Sequence, residues 1–257
     1  GKGDPQWDTK WRNIFHPDLR SVPWYSVYGN HDFHKDPCAC SPNPLECAQV
    51  NGNIDNLDFF YMPSPSWHKE HPELDLEVVA LDFNQVMWAW DKQKPIDGRC
   101  ATDCFWTKCQ EQCEENYISR AKYALGLLND RLKKSTTQNL IVFSHYPTDY
   151  LWALPGVMAG LSNASVRHVE YFGGHRHNVD QASTASTYPN SNWLVGGGGG
   201  WSCDAVDGEK PKQGFLVGEI GLDGKLTTRP VLVDHEICCP EFLPPKPPPG
   251  GWPPPKG

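Results

Sequence analysis

No run of eighteen apolar residues occurs anywhere in the 257-residue sequence, so nothing in it reads as a membrane-spanning helix. The longest apolar stretches, 74–83 and 139–143, are strand-sized and broken by polar residues. Positive charge is in deficit as well: 23 Lys and Arg stand against 31 Asp and Glu, a formal net charge of −8. That balance argues against nucleic acid as the main partner. No internal repeat is visible, and no linker-like segment appears before residue 238. The chain starts Gly-Lys-Gly with no charged, then apolar, then small-residue leader, so a signal peptide is read as removed or never included.

What is present is enough for a core. Hydrophobic residues at 39%, with 11 Trp, 10 Phe and 9 Tyr, exclude wholesale disorder. With 23 Gly and 24 Pro, many connections are loops where a site can sit. The ten cysteines fall in a trio (Cys38, Cys40, Cys47), a quartet (Cys100, Cys104, Cys109, Cys113) and a pair (Cys238, Cys239), with Cys203 alone. On helical turns, Cys100 and Cys104, and likewise Cys109 and Cys113, line one face at i and i+4. The spacing lacks the usual zinc knuckles and no His flanks it, so disulfides are favoured over a structural zinc, with connectivity left open. An oxidising compartment follows, and the sequon Asn163-Ala-Ser165 agrees with it: a secreted or extracellular glycoprotein, or a lysosomal or vacuolar one.

Residues from Asp4 read as a helix with Asp4 as N-cap, Pro5 at the first helical position and Trp7, Trp11, Ile14 and Phe15 on one stripe, ended by Pro17. Residues 23–28 form an aromatic strand that runs into Gly29-Asn30-His31-Asp32. A second strand spans 76–83, and an amphipathic helix spans 115–134 on Ile118, Tyr123, Leu125, Leu128 and Leu132. Strand 139–143 delivers Ser144-His145-Tyr146-Pro147; strand 169–172 delivers Gly173-Gly174-His175-Arg176-His177-Asn178; strand 192–195 delivers five glycines at 196–200. Segments 215–220 and 226–233 form a closing hairpin around Asp223-Gly224, and 244–257, with eight prolines, is an extended tail. Strands alternating with helical or long loop segments, each ending in polar residues, predict one α/β domain with its site at the strand ends, over 1–237, followed by a Pro-rich tail at 238–257.

Three strand ends carry one amide and several imidazoles: Asn30 with His31, His145, and His175 with His177. Such a set suits zinc, iron or manganese. In an extended segment His175 and His177, at i and i+2, point the same way and reach one ion or two adjacent ones. Two ions side by side clamp a phosphoryl group for hydrolysis. Taken singly, each motif has a plainer reading as a polar loop or a turn in which Asn takes a left-handed conformation; their joint occurrence after strands favours the metal site.

Pro23-Trp-Tyr-Ser-Val-Tyr-Gly-Asn-His-Asp32, Ser144-His-Tyr-Pro147, Gly174-His-Arg-His-Asn178 and the glycine-rich end at 196–200 resemble the calcineurin-like metallophosphoesterases, and within them the small, tartrate-resistant type of purple acid phosphatase. Asp4-Pro-Gln-Trp7, Val79-Ala-Leu-Asp82 and Gly214-Phe-Leu-Val-Gly-Glu-Ile220 fit too, so the likeness covers 4 to about 233. It implies a β-sandwich flanked by helices, a four-layer αββα fold. It also implies an acid phosphatase that hydrolyses small phosphomonoesters with Fe(III) plus a divalent metal, Fe, Zn or Mn. By motif, Asn30, His145 and His175 resemble ligands of the divalent ion and His177 a ligand of the ferric ion. His31 resembles the histidine that neutralises phosphate or protonates the leaving oxygen, and Asp32 its orienting partner.

The family's Asp-x-Gly and Gly-Asp-Asn-x-Tyr strand ends, which supply the bridging Asp and the coloured Tyr, do not occur in this sequence. Gly3-Asp4 is read as a helix cap rather than as the bridging Asp, and the fold is expected to lack its first strands. A histidine the family commonly places nine residues after His-Tyr-Pro is Leu154 here. Arg176 reads either as a positive charge beside phosphate or as a structurally paired arginine. The cysteines near 98–115 are read as a stabilising insertion. Two other outcomes are a secreted binding module of the same fold with impaired catalysis, and a phosphodiesterase of the same superfamily.

Overall fold

In a computed structural model of the chain, the described residues are 5–32, 43, 45, 49–50, 60–84, 109–154, 156–163, 167–196 and 212–233. The Asp4 cap, most of the cysteine-rich insertion, the glycines at 197–200 and the Pro-rich tail lie outside them.

A six-stranded mixed sheet organises these residues. Its members are β3 (Trp67–His71), β4 (Leu76–Leu81), β5 (Asn139–Ser144), β6 (His168–Gly173), β7 (Val179–Asp180) and β8 (Ser191–Val195), in the order β3-β4-β5-β6-β8-β7. The four central strands β4, β5, β6 and β8 are parallel, and the edge strands β3 and β7 run antiparallel to them. Parallel strands are covered on both faces, and β4 shows it: all six of its residues are buried. Two smaller pairs complete the strands. β1 (Trp24–Tyr25) lies parallel to β2 (Phe60–Tyr61), and β9 (Gln213–Ile220) pairs antiparallel with β10 (Leu226–Val233).

On one sheet face, Val79, Leu140, Val142, Val169 and Tyr171 pack with Leu128 of α1 (Gln110–Lys134) and with α2 (Val157–Leu161). On the other, Trp67, Val78, Ala80 and Phe143 pack with Tyr25, Phe60 and Ile220. The β9–β10 hairpin is tied to that second face by polar bonds: Trp193 Nε1 donates to Thr228 Oγ1 and Thr228 Oγ1 to the buried Glu170 carboxylate. The structure is therefore mixed α/β, with α2 and most of α1 against one face, and the smaller strand pairs together with Cys113 and Tyr117 of α1 against the other.

Most expected elements form, and the misses have local causes. The first helix is short, with Gln6 and Trp7 α-helical and running into a π-helical turn at Asp8–Arg12. Trp11 packs edge-on against Phe15, Trp24 and Phe60, whereas Ile14 is exposed, so the stripe is shorter than its spacing suggests. The strand expected over 23–28 pairs only at Trp24–Tyr25 before the chain leaves the ladder toward Gly29. Helix α1 starts earlier than expected, and its buried seam runs through Tyr117, Ala121, Ala124 and Leu128, with Tyr123 exposed. Small alanines let the helix sit close to β4, which apolar bulk alone does not reveal. Cys109 and Cys113 at the start of α1 are disulfide-bonded, and Cys113 is buried. Among the described residues, no helix is long and apolar enough to cross a membrane.

Candidate metal centre at the strand ends

β5 and β6 run parallel, so their C-terminal ends set two loops side by side, and the loop after β1 comes to meet them. β5 ends in Ser144 and hands the chain to His145; β6 ends in Gly173 and hands it to His175; β1 leads through buried Tyr28 to a 3-10 turn at Asn30–Asp32. His145 Nε2 stands 2.6 Å from Asn30 Oδ1 and 3.1 Å from His175 Nδ1. Two of the expected ligands thus converge on a third, from positions 30, 145 and 175. His31 is exposed on the Asn30 turn, and both it and His177 lie within electrostatic reach of His145.

Close approach needs the glycine before Asn30. A Cβ on Gly29 would stand 2.9 Å from His145 Nδ1, so only glycine lets the ring lie against this turn. The backbone at His175 is also specialised. Its φ is +66°, and Arg176 N–H bonds Gly174 C=O at 2.8 Å, closing a three-residue turn with His175 at its centre. Such positive-φ turns are rare and strained for a residue with a side chain, and strain of this kind concentrates at functional sites. A second i to i+2 bond, Asn178 N–H to Arg176 C=O at 3.0 Å, centres on His177. The segment is therefore not extended, and the expectation that His175 and His177 point alike from strand alternation does not hold; their placement is a property of two consecutive tight turns.

Burial, then the charges of His175, His31 and His177, push the His145 imidazole down to about 3. It is neutral at ordinary pH, the form in which an imidazole offers a lone pair to a metal. Asp32 accepts the Gly29 N–H at 2.7 Å on one oxygen and the Gln49 amide at 2.7 Å on the other. It thereby pins the Asn30 turn. Desolvation raises its carboxyl above the ordinary value, with Asp82 adding in the same direction against the Gly29 bond that lowers it.

Behind the convergence lies a buried polar network that the motifs named only in part. The Tyr146 ring packs edge-on to His145 and tilted to His175, at 4.9 and 5.0 Å between centroids. Its hydroxyl donates to Asn84 Oδ1 at 3.1 Å, and the Asn84 amide donates to Asp82 at 2.7 Å, which stands 3.4 Å from Arg120 of α1. Ser144 and Tyr171 hydroxyls meet at 2.6 Å and both bond the Tyr146 carbonyl. Ser144, Tyr146 and Asp82 fall within motifs noted in the sequence, whereas Asn84, Arg120 and Tyr171 do not. Leu154 is buried in the core and Arg176 pairs with Asp149, which settles the two readings of that arginine toward a structural partner.

The donor set fits a divalent transition ion. It comprises two imidazole nitrogens and one amide oxygen; ligand atoms about 2.1 Å from a metal and at right angles stand about 3 Å apart, close to the 3.1 Å seen between the imidazoles. A second group, His68, Glu70 and Glu77, also has three donor atoms within 4.8 Å of one another. There the Arg131 guanidinium already bonds both Glu70 and Glu77. Compared with known proteins, the chain matches no family model and no curated protein.

Proposed function

We propose that the chain is a metal-dependent hydrolase of small phosphomonoesters, of the purple acid phosphatase kind, acting in a secreted or vacuolar setting. The observation that carries this reading is the convergence of Asn30 Oδ1, His145 Nε2 and His175 Nδ1, three groups from distant parts of the chain, at the strand ends. The mixed α/β sheet supports it further, since its parallel strands set loop residues side by side at their C-terminal ends.

Asn30, His145 and His175 would hold a divalent ion such as zinc, manganese or iron, and His177 is the residue at hand for a ferric partner. Bound there, the ions supply Lewis-acid polarisation of a phosphoryl group and a nucleophile drawn from water. The chain's own groups do the rest. Neutral His145 gives up no proton on binding, so acidic conditions do not compete with it. His31, exposed on the Asn30 turn, neutralises the phosphate and donates a proton to the leaving alkoxide. Asp32 fixes that turn through Gly29 and Gln49, and so aims His31 rather than touching substrate. The deciding experiment measures metal content per chain together with hydrolysis of a phosphomonoester and a phosphodiester at acidic pH. Metal-dependent turnover of the monoester supports the reading. Faster turnover of the diester transfers the same site to the phosphodiesterase reading, and metal binding without turnover of either leaves a binding module.

A further inference from the structure

We propose that Arg176 is a positioning residue: with Asp149 it clamps the His175 loop to the His145 loop and holds His175 in its strained turn. This inference rests on the metal site proposed above and goes beyond it by assigning a task to the residue between the two candidate ligands.

Arg176 Nη1 stands 3.2 Å from Asp149 Oδ2, on the 3-10 turn Thr148–Ala153 that follows Ser144-His145-Tyr146-Pro147. Its Nη2 donates to the Ser183 carbonyl and hydroxyl at 2.6 and 2.7 Å. Ser183 in turn donates its N–H and hydroxyl to Asp180 Oδ1, at 2.8 and 2.7 Å, and Asp180 Oδ2 accepts the Asn178 amide at 2.6 Å. The bonds form a ring that starts at Arg176 and returns at Asn178, enclosing the tight turn centred on His177 and anchoring the residue whose N–H closes the His175 turn. A planar guanidinium with two forks suits this task, because it grips two loops at fixed angles where an ammonium acts as a point charge. The side chain is half-buried, with its charge committed to Asp149, and not open to a phosphate. A residue held at φ +66° relaxes unless its surroundings over-determine it, and the constraint here is the anchoring of its neighbour Arg176 by Asp149 on one side and Ser183 on the other.

The test compares Arg176→Met, Arg176→Lys, Asp149→Asn and the double variant with the parent chain, using Arg229→Met on the hairpin surface as control. The first readout needs no metal: amide hydrogen exchange over 174–178. Exchange at least tenfold faster in Arg176→Met and Asp149→Asn is expected, with Arg176→Lys intermediate and the control unchanged. The second is affinity for Co(II) followed by its visible absorption, expected to fall 10- to 100-fold, as outer partners of metal ligands typically contribute. The double variant should lose no more than the worse single one. Unchanged exchange in both single variants overturns the proposal even if the parent binds cobalt. Intact exchange and cobalt affinity with weakened inhibition by inorganic phosphate overturns it too, and makes Arg176 an anion contact. A parent chain that binds no cobalt refutes the metal site, while the exchange result still decides the clamp.

Discussion

Two groups of metal-competent side chains lie on this fold, and they differ in what already neutralises them. On the β3–β4 face, His68, Glu70 and Glu77 bring two carboxylates together, but Arg131 reaches from α1 and bonds both, and His68 adds a contact to Glu77 at 3.2 Å. The charge is compensated from within. At the strand ends, Asn30 Oδ1 and His175 Nδ1 both close on His145 Nε2 with no carboxylate among the three, on a backbone bent into a strained turn. Ligand types alone therefore do not define a metal centre. A carboxylate pair beside a guanidinium is a structural ion pair, whereas donors gathered at the cost of backbone strain need a purpose outside the fold.

The largest effect should come from removing a converging donor. His145→Ala is expected to abolish cobalt or zinc binding, a loss beyond the ~100-fold associated with outer partners, when followed by calorimetric titration. Binding that survives would shift attention to the His68 group. Breaking the other cluster should instead cost stability. Arg131→Met leaves the fully buried Glu77 carboxylate without its cation and should lower unfolding free energy by about 3 kcal/mol in urea titrations. In a His145→Ala background, added zinc should then restore part of that loss, since His68, Glu70 and Glu77 become available. A variant as stable as its parent would show that Glu77 is held by something other than charge pairing.

The smallest effect is the most diagnostic of the strand-end site. His145 has a folded value of about 3, below its ordinary 6.5, so between those values the folded chain binds fewer protons than the unfolded one. Stability of the metal-free protein should therefore fall as pH drops through that window, by up to about 1.4 kcal/mol per pH unit for this group. Thermal unfolding across that range should flatten in His145→Gln; an unaltered slope would assign the acid sensitivity elsewhere.

Much of the fold was legible where local pattern and global burial agree. Residues 139–143 and 169–172 read as strands because β-branched and aromatic residues run between polar breaks, and the turn at Asp223-Gly224 announced its hairpin. β3 escaped notice, because Trp67-His68-Lys69-Glu70-His71 is mostly polar and becomes a strand only by pairing with β4 at the sheet edge. The candidate ligands Asn30, His145 and His175 were legible as motifs after strands. Their supports were not. Asp149, Ser183 and Asp180 look like ordinary loop residues, and Asn84 meets Tyr146 across 62 positions, a contact that no local pattern encodes.

The sequence by itself determined the donor types, their position after strands, the alternation that makes an α/β sheet, and the glycine that leaves room for an imidazole. Those are properties of single residues and short windows, where side-chain chemistry, φ freedom and hydrophobic period act locally. Tertiary structure alone decided that Asn30 and His175 meet at His145, that Arg131 closes one acidic cluster, and that Arg176 serves Asp149. Each of these depends on distances between segments far apart in the chain, which are fixed only when parallel strands stack their ends on one side of a sheet and burial drives polar groups toward partners.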